Sequence, residues 1–373
     1  MRAPRRSILS RALAAGLVLT AGAGAQSPKT FSGQVDISER EILVSLPANL
    51  AKARLHPNDF QVLVDGQPRE VARAERVSAP WTVLLYVDRV LAGPATAFSS
   101  EVTLADHAKD LTRLGTVEIA VAGPDPHTSL PPTRDSRLVE LTLGNLSAAA
   151  RRERDHAPAG QGGPPSSPPA RQQLDKLLAN LASRHPAGPR VLFLVADGVD
   201  LAPAEVALLD RDTPPASGSP ESTATAFLDA GRRLAAQGWV VIPVAVKPGD
   251  PGTPMAPRSD LDRVNESASP SQHTNSGPPA LSSRQLASNS LAYPGVVALA
   301  TEPRLAPLRA LAEGTAGVVI GYDVQLPALF EELPRRWTIW VAEPKAPADG
   351  RLHTLSVRLP GRNAEARAPR WLP

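Results

Sequence analysis

There is no cysteine among the 373 residues. That excludes disulfides, thiolate metal sites, a cysteine nucleophile and a lipid-modified N-terminal cysteine. Aromatic residues are also scarce, with 5 Trp, 3 Tyr and 6 Phe. Trp81, Trp239, Trp337 and Trp340 fall in strand-like runs and are expected in the core rather than in an exposed binding patch. After the first 25 residues no apolar run approaches the roughly 20 needed to cross a bilayer. Catalytic signatures are missing: no G-x-S-x-G, H-E-x-x-H or G-x-x-x-x-G-K-[ST] occurs. The histidines, His56, His107, His127, His156, His185, His273 and His353, are scattered without metal-ligand spacing. Asp106-His107, Glu331-Glu332 and Arg151-Arg152 read as solvated charge.

What is present begins with a leader. Arg2, Arg5, Arg6 and Arg11 precede an apolar stretch from Ala12 to Leu19 and the small run Ala23-Gly24-Ala25. That order is the pattern of a secretory signal peptide over 1–25, cleaved before Gln26. An exported protein is therefore expected, periplasmic or extracellular, with no transmembrane segment after cleavage. The whole chain has 40 Lys+Arg against 37 Asp+Glu, net +3; losing the four leader arginines leaves 36 against 37, net −1. No net basic field remains to attract nucleic acid.

Residues 26–78 read as a small β region. Glu41 to Leu46 and Phe60 to Val64 are strand-like, Asp65-Gly66 is a hairpin turn, and Arg69 to Arg76 is the returning strand. From 79 to 334 the pattern changes to buried apolar runs at 83–87, 117–121, 191–195, 239–246, 296–300 and 318–320. Amphipathic helices alternate with them: Leu174, Leu177, Leu178 and Leu181; Phe227, Ala230 and Leu234; Leu305, Leu308 and Leu311; Leu326, Leu329, Phe330 and Leu333; and a less regular one from Phe98 to Leu114. Such alternation predicts an α/β fold, a doubly wound and mostly parallel sheet covered by helices. Three polar, Pro/Gly/Ser-rich stretches, 155–170, 210–221 and 247–294, are expected to be disordered insertions. Residues 335–373 return to β and are expected to pair with the N-terminal β region.

The residues then resemble a known family. Asp88 after the first buried strand, and Phe193-Leu194-Val195-Ala196-Asp197-Gly198-Val199-Asp200, are similar to the strand ends of a von Willebrand factor type A domain. Asp59-Phe60-Gln61-Val62-Leu63-Val64-Asp65-Gly66-Gln67-Pro68, with a terminal β segment near Gly350 to Arg370, resembles bacterial exported proteins that carry such a domain. The resemblance implies the fold, a role in protein–protein interaction or adhesion, and a metal-ion-dependent adhesion site. That site uses D-x-S-x-S, but the chain reads Asp88-Arg89-Val90-Leu91-Ala92, and 147–170 holds no threonine. The expectation is a degenerate site without a divalent cation such as magnesium, with Asp88 and Asp197 as the residual ligands. Arg89 is placed to pair with a carboxylate there. The rim beyond the strand ends, with Asp88, Arg89, Asp197 and Asp200, is the expected binding surface for an unknown protein partner. An envelope hydrolase on the same sheet and a purely structural envelope component are the alternatives.

Overall fold

The computed structural model describes residues 38–50, 52–123, 127–156, 167–182, 184, 188–209, 222–246, 302–343 and 353–372. The leader 1–25, the stretches 210–221 and 247–294, and the strand expected at 296–300 lie outside the described residues.

Alternating apolar residues at both ends of the chain build two small antiparallel sheets. One has the order β1 (Ser38–Val44), β10 (Trp337–Glu343), β4 (Val71–Arg76). The other runs β12 (Ala364–Ala366), β11 (His353–Leu359), β2 (Gln61–Val64), β3 (Gln67–Arg69), with β13 (Trp371–Leu372) also on β11. Ile42, Val44, Trp337, Ile339 and Val341 of the first sheet share one core with Phe60, Val62, Val64, Leu355, Val357 and Leu359 of the second. The C-terminal strands thus pair with the N-terminal ones, Ile42 opposite Ile339 and Val62 opposite Val357. Asp65 and Gly66 sit at φ 50° and 75°, the left-handed pair a two-residue hairpin demands. The strand expected over Arg69 to Arg76 is divided at Glu70: β3 stays on β2 while β4 crosses to the other sheet.

Between β4 and β10 the chain forms the α/β unit. Its sheet has the order β7 (His127–Thr133), β6 (Gly115–Ala122), β5 (Trp81–Asp88), β8 (Arg190–Val195), β9 (Trp239–Val244). Only the edge strand β7 is antiparallel, and Ile320 adds a parallel bridge to Val244. This is the doubly wound, von Willebrand factor A-like arrangement. Strands β5, β6, β8 and β9 are apolar along most of their length because a helical layer covers each side, whereas edge strand β7 is largely exposed. Val83, Leu85, Val87 and Phe193 face one core with Leu104 of α1 (Pro94–Asp106), Leu111 of α2 (Ala108–Leu114), Val139 and Leu143 of α3 (Ser136–His156), and Phe330 of α8 (Leu326–Glu332). Leu84, Tyr86, Leu192 and Val241 face the other, with Leu174 of α4 (Ser167–Ala182), Phe227 of α6 (Thr223–Ala236) and Leu308 of α7 (Ala306–Gly314). A short α5 (Pro203–Leu209) packs on α6. No helix among the described residues is long and apolar enough to cross a membrane.

Several further expectations need correction. The insertion at 155–170 is shorter than its composition suggests. Asp155 and His156 close α3 and Ser167 to Ala170 open α4, since prolines in a first helical turn have no N–H to leave unpaired. Phe98 to Leu114 is two helices rather than one, broken at His107 (φ −101°, ψ 17°). Its side chain is not solvated: Nδ1 lies 3.1 Å from Asp110 Oδ2 and Nε2 lies 2.9 Å from Asp323 Oδ1, with Phe330 packed on the ring.

The chain enters and leaves the α/β unit at one point, where the Val77 N–H donates to the Arg336 carbonyl at 2.9 Å. Beside it, Glu332 at the end of α8 accepts from Arg336 Nε at 2.9 Å and Nη2 at 3.3 Å, and from Arg367 Nη2 at 3.4 Å. Despite its burial, the two guanidiniums and the Ser45 hydroxyl hold the Glu332 carboxyl below the usual range. Glu332 is therefore not the ordinary surface charge that its neighbour Glu331, exposed and paired with exposed Arg335, is.

Candidate functional site

The rim beyond the carboxyl ends of β5 and β8 brings Asp88 and Asp197 to either side of one loop. Asp88 is fully buried, its side-chain exposure 0%. Its Oδ1 accepts from the Val90 and Leu91 amides, both at 2.9 Å, which closes a tight turn after β5. Its Oδ2 is buried and has no hydrogen-bond partner among the described residues. Burial pushes this carboxyl above the ordinary aspartate range, against the pull of the two amides and Lys176. The Asp197 amide donates to the Leu91 carbonyl at 2.8 Å, so the turn that Asp88 shapes is also tied to the end of β8.

Asp197 holds the start of α1. Its Oδ2 accepts from the Gly93 amide at 2.7 Å, and its Oδ1 accepts from the Thr96 hydroxyl. Gly93 is the residue flanking the helix and Pro94 begins it, so a carboxylate from a distant strand satisfies a first-turn donor and meets the positive end of the helix dipole. The approach at Gly93 is close: a Cβ would lie 2.9 Å from Asp197 Oδ2, so a larger residue would have to displace that carboxylate. The next residue, Gly198, has φ +94°, and a Cβ on it would strike the Arg304 carbonyl at 2.2 Å. Replacing Asp197 by Ala is expected to cost about 1–3 kcal/mol, the range for losing a cap together with a buried acceptor. Asp200→Ala should stay within about 0.5 kcal/mol, because Asp200 is exposed and makes no ion pair among the described residues. Urea denaturation of the two variants beside the parent measures both.

Arg89 does not pair with either aspartate. Its backbone N–H donates to the Ala122 carbonyl at 2.9 Å, while its Nη2 reaches away to the Leu146 carbonyl of α3 at 3.1 Å and to Glu101 Oε1 of α1 at 2.8 Å. Glu101 has 0% side-chain exposure, and neither of its oxygens has an aligned hydrogen bond, so the contact with Arg89 is one of charge. Burial pushes the Glu101 carboxyl up to about 7; Arg89 opposes this and Glu153 adds to it.

Thus the four residues read from the sequence divide. Asp88 and Asp197 share one loop, Arg89 points to the α1–α3 side, and Asp200 stands at the surface. Thr96 and Glu101, which complete these arrangements, were not read from the sequence. Thr96 has a local signal, the third residue of a helix opened by Gly93-Pro94. Glu101 has none, since its partner Arg89 approaches from another element. The motif from Asp59 to Pro68 serves the sandwich: the Asp59 carboxylate accepts from the His56 amide, Phe60 packs on Trp337, and Asp65 bonds His353 and the Thr354 amide.

No family model and no curated protein matches the sequence. Solved structures similar to the chain include the conserved hypothetical protein BatB from Bacteroides thetaiotaomicron, 12% identical over 68% of this chain and 96% of that one, TM-score 0.34. The vWF domain of the type V pili tip protein Mfa5 from Porphyromonas gingivalis is 10% identical over 69% and 95%, TM-score 0.36. Manganese-loaded Plasmodium vivax TRAP protein is 13% identical over 54% and 68%, TM-score 0.28.

Proposed function

We propose that this is an exported protein–protein interaction protein of the adhesion or scaffolding kind, not an enzyme, and that it binds through the rim of the α/β sheet without a metal. The observation that carries the metal-independent reading is the occupation of Asp197. Both its oxygens are engaged by Gly93 and Thr96, so it is a strut for α1 and not an open ligand. Asp88 offers one unengaged oxygen, Oδ2, and Val90 and Ala92 offer no side-chain oxygen. A hard divalent cation takes six or more oxygens and needs several fixed by protein, and this donor set does not fit one. The rim reading is supported by topology. Loops at the carboxyl ends of the strands of an open α/β sheet, held by a rigid scaffold, are where binding residues concentrate. Export is read from the leader alone.

A photo-crosslinking residue at Asp200, beside one at exposed Glu365 of the sandwich, tests this in cell-envelope extract with EDTA or with magnesium. Rim-specific protein adducts that survive EDTA are expected. Adducts lost in EDTA would mean a metal-bridged contact, and adducts only from position 365 would move the surface to the sandwich. Calorimetric titration with magnesium, manganese and calcium is expected to show no saturable heat; binding lost in both Asp88→Ala and Asp197→Ala would overturn the metal-independent reading.

A further inference from the structure

A second site lies at the opposite end of the α/β unit, where the chain passes into and out of it. The residues from Val77 to Pro80 on the way in, and Pro334 on the way out, border a cleft of 380 Å³. The cleft is open to solvent over much of its surface and lies at a junction between structural layers, where ligand sites concentrate. Two arginines stand in its wall, Arg113 from the end of α2 and Arg134 from just after β7, and no acidic residue among the described ones lines it. Arg113 has an exposed ion pair with Asp110 at 3.0 Å, which leaves its guanidinium largely in solvent. Arg134 is exposed and has no acidic partner among the described residues. Exposed Pro80 and Pro334 and half-buried Val77 add apolar surface beside polar groups that include Ser78, while Leu114 lies buried beneath.

We infer that this cleft binds an acidic peptide segment, its carboxylate between Arg113 and Arg134 and an apolar neighbouring residue on the prolines. A guanidinium matches a carboxylate with two parallel hydrogen bonds, which a lone surface lysine cannot do. The two exposed prolines favour a peptide over a bare oxyanion, because an anion alone would gain nothing from Pro80 and Pro334. The site is separate from the rim and stands or falls independently of it.

Calorimetry on the full mature chain tests this with three probes: a terminally blocked tripeptide with glutamate between two apolar residues, its glutamine counterpart, and inorganic phosphate. Saturable binding of the glutamate peptide is expected, at least about tenfold weaker for glutamine, since hydrogen bonds to a charged group are the strong ones. Arg134→Ala, which breaks no hydrogen bond or ion pair among the described residues, is expected to weaken the glutamate peptide by about tenfold or more. Arg151→Ala on α3, outside the cleft, should leave it unchanged. Equal binding of the glutamine peptide, phosphate binding in place of peptide, no saturable binding, or an Arg134→Ala variant that binds as the parent does would each overturn the inference.

Discussion

Glu332→Ala is expected to destabilise the protein by about 3–5 kcal/mol, while Glu331→Ala one residue earlier costs at most about 1 kcal/mol. The two glutamates are indistinguishable in composition and adjacent on α8. Glu331 reaches exposed Arg335 at 3.2 Å, a pair screened by water on both sides. Glu332 holds Arg336, whose side chain has 0% exposure, and Arg367 from the far end of the chain. Deleting the carboxylate leaves the Arg336 guanidinium buried without its counter-charge, and that uncompensated charge is the source of the cost. The double variant Glu332→Ala/Arg336→Met removes the orphaned charge as well and should regain much of the loss. If urea denaturation gives equal small losses for Glu331→Ala and Glu332→Ala, the cluster does not hold the seam. The depressed Glu332 carboxyl has a matching pH signature. Its contribution is complete above the unfolded carboxylate range and disappears as pH falls through the lower folded value.

The second large effect has the opposite sign. Glu101→Gln is expected to stabilise the protein in alkaline solution. Burial raises this carboxyl from 4.5 to about 7, so the fold prefers the neutral acid. The stability it confers is fully present below 4.5, declines as pH rises through the interval to 7, and is absent above that. A displacement of this size corresponds to roughly 3 kcal/mol. The stability difference between Glu101→Gln and the parent should therefore grow by about 2–3 kcal/mol between acidic and alkaline pH, the variant being the more stable at the alkaline end. Arg89 keeps its bond to the Leu146 carbonyl in the variant, so the rim loop retains that tether. Parallel pH profiles for the two proteins would show that Glu101 is not the titrating group.

Much of the fold was legible because its signals are local. The runs that became β5, β6, β8 and β9 are almost wholly apolar because helices cover both faces, and the helices α4, α6, α7 and α8 carry their core positions at helical spacing. The Asp65-Gly66 turn was equally plain. Helix α3 was not. Its buried positions are Val139, Leu143, Ser147 and Ala150, so half of the core stripe is small or polar, while exposed Leu138 and Leu141 blur the other face. Edge strand β7 contains Pro131 and Pro132, which argue against a strand in any sequence window but are tolerated where a strand has a neighbour on one side only. At the rim, sequence spacing located Asp88 and Asp197 because each follows its own strand. The partners that define their roles, Gly93, Thr96 and the Leu91 backbone, belong to a loop and helix that only the assembled sheet brings alongside.

The hydrogen bond between Val77 and Arg336 has a consequence for how the molecule is made. The sandwich is one core built from the two ends of the chain, with Ile42 paired to Ile339, and the whole α/β unit separates them. During synthesis β1 and β4 emerge early and have no strand partner until β10 follows, and the β2–β3 hairpin waits for β11, so contacts distant in sequence close last. The α/β unit, whose strands pair with nearer neighbours, can condense first and bring its own ends together. The central unit then acts as the splint on which the outer one is finished, and an early stop in translation would leave the N-terminal strands as unpaired, aggregation-prone edges.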